Sequence, residues 1–97
     1  MAGKNYAHIN AIQGSVQLLA PAPTELVNVC INTLGTTGNI LTLYDSNSAA
    51  NASAANTIAV INTTATVGVL NMNLQCKNGL CAQMTVGVAG DATVVWG

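Results

Sequence analysis

Apolar and polar residues alternate with a period of two through most of this chain, and no window carries an apolar stripe at helical spacing. Between Glu25 and Thr33 the run Val27, Val29, Ile31 alternates with Asn28, Cys30, Asn32, which predicts a strand with the valines and isoleucine facing inward. Ile40–Tyr44 predicts another, with Leu41 and Leu43 sharing a face, and Thr57–Asn62 a further one. Ala92–Trp96 closes the series with Val94 and Trp96 on one side. Ser15–Leu19 reads as a short strand with Val16 and Leu18 together, ended by Pro21 and Pro23, which cannot donate to a ladder. Gly, Asn and Pro punctuate these runs at regular spacing. The expected fold is all-β: an antiparallel β-sandwich, jelly-roll-like, of seven or eight short strands.

The segment Val67–Trp96 holds the densest pattern. Val67 and Val69 have one parity, and Leu70, Met72 and Leu74 the other, so a β-bulge is expected near Gly68–Val69. Asn78-Gly79 lies between two alternating runs, a strong hairpin signal. A two-residue loop would set apolar residues against polar ones on both faces. A three-residue turn, Lys77, Asn78 and Gly79, instead sets Leu74 opposite Ala82, Met72 opposite Met84 and Leu70 opposite Val86. Burial selects that register, because a slip of one residue reverses every side chain. Gly79 would then take the left-handed conformation that closes the turn, Cys76 would face the core, and Cys81 would face away.

The first 24 residues read differently. Tyr6, His8, Asn10 and Ile12 would share one side of an extended arm, either an edge strand or a segment docked on a neighbour. The expected organisation is an N-terminal arm with a proline-containing segment at residues 1–24 and a sandwich domain at residues 25–97. Asp45–Asn56 is a low-complexity run of Ser, Asn and Ala, expected to form a loop with at most a helical turn.

Composition narrows the function. Only 5 % of the residues are charged and there is no Arg, where an ordinary domain has about a quarter charged. The charges are scattered, so nucleic acid, which needs clustered Lys and Arg against phosphates, is not an expected partner. No run approaches the ~18 apolar residues of a membrane helix, and the N-terminus has no apolar signal region. A surface this neutral repels copies of itself weakly and suits a chain that works inside an assembly. Three cysteines, an odd number on predicted strands, are expected as reduced thiols of a protein made in a cytoplasm.

Candidate chemistry is sparse. His8 is the single histidine and has no partners at ligand spacing; Cys76 and Cys81 fall short of the four ligands of a structural zinc site. Asp45 and Asp91 sit beside turn residues, where a carboxylate accepts local N–H bonds. No Gly-rich phosphate loop and no nucleophile elbow is present in the sequence. No enzyme activity, cofactor or metal is expected. Interface candidates are Tyr6, His8, Ile12, Tyr44 and Trp96, the aromatics because such residues are enriched at interfaces; Trp96 could equally plug one end of the core.

Two segments resemble something more specific. They are Ile40-Leu41-Thr42-Leu43-Tyr44-Asp45-Ser46 followed by Thr57-Ile58-Ala59-Val60-Ile61, and Asn78-Gly79-Leu80 leading through Gly90 to Thr93-Val94-Val95-Trp96. This layout is similar to small β-sandwich decoration (cement) and head-fibre proteins of tailed bacteriophages, over roughly residues 25–97. The three cysteines and the Ala/Asn-rich insertion at 47–56 depart from it. The resemblance implies a non-enzymatic virion protein, made in the host cytoplasm and bound to the capsid exterior. Its partners would be the major capsid protein and itself, as a dimer or trimer, without nucleic acid or membrane. The alternative is a carbohydrate-binding or host-attachment module on a phage fibre or tail.

Overall fold

A computed structural model describes residues 4–97. Among the described residues eight strands form: β1 (Asn5–Ile9), β2 (Gln17–Ala20), β3 (Thr24–Thr33), β4 (Ile40–Tyr44), β5 (Thr57–Asn62), β6 (Gly68–Cys76), β7 (Leu80–Thr85) and β8 (Asp91–Trp96). They make two four-stranded sheets, ordered β1-β8-β3-β6 and β2-β7-β4-β5, with antiparallel pairing throughout. Successive strands cross from one sheet to the other up to β4, and again from β5 onward. That winding, with eight strands in two sheets, is a jelly roll. The core between the sheets is built from the alternation. Leu26, Val29 and Ile31 of β3 and Val94 and Trp96 of β8 meet Leu41 and Leu43 of β4 and Leu80 and Met84 of β7. Leu41 and Leu43 are fully buried, each worth about 1.5–3 kcal/mol relative to exposure.

The turn at Lys77–Gly79 does not make a hairpin. β6 pairs with β3 in one sheet, while β7 lies between β2 and β4 in the other. The expected pairs of Leu74 with Ala82, Met72 with Met84 and Leu70 with Val86 are therefore absent. The parity argument holds within each strand. However, the apolar faces meet across the core from opposite sheets rather than side by side in one. β7 is buried almost throughout, from Leu80 to Met84, as only a central strand can be. Gly79 does not adopt positive φ. It is required for space: a Cβ there would lie 2.5 Å from the Ala20 carbonyl oxygen and 2.6 Å from that of Ser46.

Bulges move several side chains from their expected faces. β3 gains a residue against β8 between Leu26 and Asn28, which turns Leu26 inward in place of Val27. In β6 the extra residue falls at Met72–Asn73, opposite Val27, with Asn73 at φ 51°, not at Gly68–Val69. β2 starts two residues later than expected and shifts register at Leu19, so Ala20 is buried and Leu18 exposed. Cys81 points away from the core by parity, yet it is fully buried. Leu18 and Tyr44 flank it in register, and its thiol donates to the Ser46 carbonyl at 3.5 Å.

Residues 5–9 and 17–20 give one edge strand to each sheet, and Ile9 and Ala20 enter the core. The segment expected as an arm is thus, from Asn5 onward, part of the sandwich; its residues 1–3 lie outside the described residues. The 45–56 loop forms two single-turn 3-10 helices at Ala49–Asn51 and Ala54–Asn56. Their ends are held by local side chains: Ser48 Oγ accepts from the Asn51 N–H, and Asn56 Oδ1 from the Ser53 N–H.

Candidate functional site

The loops collect at the two ends of the sandwich, and the ends differ in chemistry. One end carries the turns 21–23, 45–56 and 77–79. There Asp45 reaches across to the crossover turn: Oδ1 accepts from the Asn78 N–H at 2.8 Å and the Gly79 N–H at 3.4 Å, and Oδ2 from the Lys77 N–H at 3.1 Å. Partial burial pushes this carboxyl up. The three N–H bonds, strongest from Asn78, and the nearby Lys77 charge outweigh that and hold it below its ordinary value of 3.8. The Asp45 carboxylate thereby holds the turn between β6 and β7. Beside it lies a small polar cup of about 190 Å³ lined by Asp45, Ser46 and four asparagines.

A larger cavity of about 390 Å³ opens at the same end among Leu19, the Pro21–Pro23 turn, Asn5, Thr24 and Trp96. Trp96 is only 9 % exposed. It belongs to the core, packed on the inner face of β8, and presents one edge to this cavity.

The opposite end gathers the loops 10–16, 34–39, 63–67 and 86–90 around Asn39. That side chain is completely buried, and its polar atoms are satisfied. Its Nδ2 donates to the carbonyls of Thr85 at 3.3 Å and Val86 at 3.1 Å. The Thr63 hydroxyl donates to the Asn39 main-chain carbonyl at 2.9 Å and also lies against Oδ1. Thr36 and Val88 exchange both main-chain bonds, at 3.0 and 3.1 Å. The tips carry backbone strain. Thr37 (φ 56°) and Val86 (φ 69°) are β-branched residues in the left-handed region, each followed by a glycine of positive φ. Strain of this kind costs about 1–3 kcal/mol per residue and concentrates at functional positions.

This end is also apolar. Ile12, Leu34, Val67, Val86 and Val88 are 40–62 % exposed there. Of the five charged residues only Asp91 lies at this end. Its Oδ1 is buried with no hydrogen-bond partner among the described residues. Lys4, Glu25, Asp45 and Lys77 sit at or beside the other end, as the pairings of Asn5 with Trp96 and Glu25 with Gln75 place them.

The five interface candidates do not converge. Tyr6, 70 % exposed, and His8 project from the outer face of the first sheet with ring centroids 6.1 Å apart. Ile12 sits at the apolar end, Tyr44 is half-buried on the outer side of the second sheet, and Trp96 is in the core. Lys77, Asn78 and Gly79 form the Asp45-bound turn. The valines of the apolar end are hard to single out in the sequence because Val67-Gly68-Val69 and Val86-Gly87-Val88 read as strand continuations. The signal that separates them is the glycine between two valines: Gly68 starts β6 with Val67 left outside it, and Gly87 falls in the turn after β7. All three cysteines are unpaired. Burial pushes the Cys76 thiol up, with Asp45 adding to the shift, and pushes Cys81 up against the opposing Ser46 bond. Compared with known proteins, the chain matches no family model, no curated protein and no solved structure.

Proposed function

We propose that this chain is a non-enzymatic virion structural protein that decorates a tailed-phage capsid and stabilises it by bridging capsid subunits. The observation that carries the reading is the polarity of the domain. One end offers Ile12, Leu34, Val67, Val86 and Val88 with the carboxylate of Asp91, and the other holds the remaining charges. Exposed apolar side chains gathered at one end, with a single charge among them, suit an interaction site. Set against the major capsid protein, those side chains would contribute about 25 cal/mol per Å² buried. A shell repeats each contact many times, so a modest contact per copy suffices when copies are linked. The jelly-roll winding occurs in viral capsid and lectin domains. That support is analogy, because fold alone does not fix function. The Ile40–Ser46 and Thr93–Trp96 segments add the resemblance to decoration proteins. On this reading the chain is made in the host cytoplasm, joins the capsid exterior, and works as a dimer or trimer.

The test is co-sedimentation of the purified chain with assembled tailed-phage capsid shells and, separately, with unassembled coat protein. Saturable binding to shells is expected, weakened about tenfold or more by Val86→Lys or Val88→Lys, as loss of one buried valine contact implies. Binding to neither form overturns the reading. The cavity beside Trp96, with Asn5 and Thr24 at its rim, favours a second reading as a carbohydrate-binding or host-attachment module. Saccharide binding on a glycan array, with no shell binding, would put that reading first.

A further inference from the structure

We propose that β6 is a self-association edge: two copies join across a two-fold axis by pairing residues 68–72, making one continuous eight-stranded sheet. β6 ends the order β1-β8-β3-β6, so one of its lateral edges carries main-chain N–H and C=O groups with no strand beside them among the described residues. Such an edge is a template for another strand, and proteins normally blunt it with charge, proline or short length. The other three edges are shorter, and two of them are blunted. β2 has four residues and runs into Pro21; β1 has five, with Lys4 before it and His8 within it; β5 has six and shifts register at its start. β6 has nine residues with neither charge nor proline, and only Cys76 of them is buried. Val69 is 58 % and Leu70 40 % exposed.

The partner is set by the geometry. The bulge at Met72–Asn73 bends the second half of β6, which leaves Val69–Asn71 as the straight stretch, flanked by Gly68 at φ 136° and by Met72. An antiparallel pairing centred on Leu70 is self-complementary. It sets Leu70 against the partner's Leu70, Val69 against the partner's Asn71 and Gly68 against the partner's Met72. That is the isologous contact a two-fold dimer requires, formed by strand addition. A net charge of −1 opposes it little. A five-residue pairing alone falls short of the ~1,600 Å² of a standard interface. The dimer is therefore concentration-dependent. The inference touches the capsid reading only through the expected homo-oligomer.

The experiment is light scattering of the full chain over a dilution series, with Val69→Lys, Asn71→Asp and the double variant. The native chain is expected to move from one to two chain masses with rising concentration, with or without reductant. Each single variant should raise the dissociation constant by roughly a few-fold, since it puts an unpaired charge opposite a neutral side chain in both symmetric cross-strand pairs. The double variant, and an equimolar mixture of the singles, should recover it, because the pairing sets the introduced lysine directly opposite the introduced aspartate. Leu18→Lys on β2 should change nothing. If Val69→Lys unfolds the chain, hydrogen exchange of the native chain decides: amides in 68–72 should slow as concentration rises, and their indifference to concentration overturns the proposal. A monomer at every concentration, a trimer or open polymer, or singles that dimerise as the native chain does also overturn it. A monomer that still binds shells removes this inference and keeps the capsid reading; a dimer that binds no shell does the reverse.

Discussion

Replacing Asn39 by Ala should be among the most damaging single changes in this protein. The residue is 0 % exposed and ties three loops together. The substitution removes the two Nδ2–H bonds to the carbonyls of Thr85 and Val86, and the Oδ1 that faces the Thr63 hydroxyl. Each neutral bond is worth about 1 kcal/mol net, and each group left buried without a partner costs about 1–3 kcal/mol. Allowing for partial relaxation and entry of one water, the expected loss is about 3–5 kcal/mol. That is a large share of the ~5–15 kcal/mol of a typical domain, and corresponds to a fall in Tm of at least ~12 °C. Urea denaturation followed by far-UV circular dichroism measures it. Thr63→Val, which keeps the shape and removes only the hydroxyl, should cost about 1–2 kcal/mol. The double variant should then fall short of additivity by roughly 1 kcal/mol, because the two side chains touch. In Asn39→Ala the main-chain pair of Thr36 and Val88 should also exchange hydrogen faster, since its loop loses its anchor. An Asn39→Ala variant within about 1 kcal/mol of the native chain, or strict additivity with Thr63→Val, refutes the description of this cluster as what holds the apolar end in shape.

Three further outcomes test the other end and the thiols. Asp45 has a folded-state pKa below its ordinary value, so the stability it confers is fully present above about pH 4 and is lost as pH falls through the lower folded-state value; thermal melts from about pH 6 to about pH 2 should show that loss, and Asp45→Asn should be less stable at neutral pH with a flatter acid limb. Gly79→Ala, which drives a Cβ into the Ala20 and Ser46 carbonyls, should cost at least about 2 kcal/mol, whereas Gly14→Ala, with nothing within 4 Å of its Cβ, should lie within about 1 kcal/mol of native; equal effects at the two glycines would contradict the crowding argument. In a thiol-reagent titration of the folded chain, Cys30, half-buried on the outer sheet face, should react first, and Cys76 and Cys81, buried with raised pKa, only on unfolding.

Much of the fold was legible because alternation is a local property. Leu41 with Leu43, Val29 with Ile31, and Val94 with Trp96 face the core as period two requires, and β5 has the bounds read from its residues. The apolar end was less legible. Its valines come from loops far apart in the chain, and only tertiary hydrogen bonds, those of Asn39 and Thr63, of Thr36 with Val88 and of Gln13 with Met84, bring those loops together.

Side-chain type and spacing were enough to settle which segments become strands, which faces of most are apolar, and that almost nothing on the surface is charged. Each residue carries those properties with it wherever the chain runs. Contacts between distant segments were needed to settle whether Lys77–Gly79 returns within a sheet or crosses between sheets. Both routes put Leu80 and Met84 of β7 on an apolar face, so the alternation of that strand does not choose between them. In the crossing the Asp45 carboxylate, 32 residues upstream of Lys77, holds the turn's N–H groups, and the Ala20 and Ser46 carbonyls close on Gly79. Pairing between strands likewise placed the extra residues of β3 and β6. A bulge answers to the register of both neighbouring strands, so its position cannot be read from one strand alone.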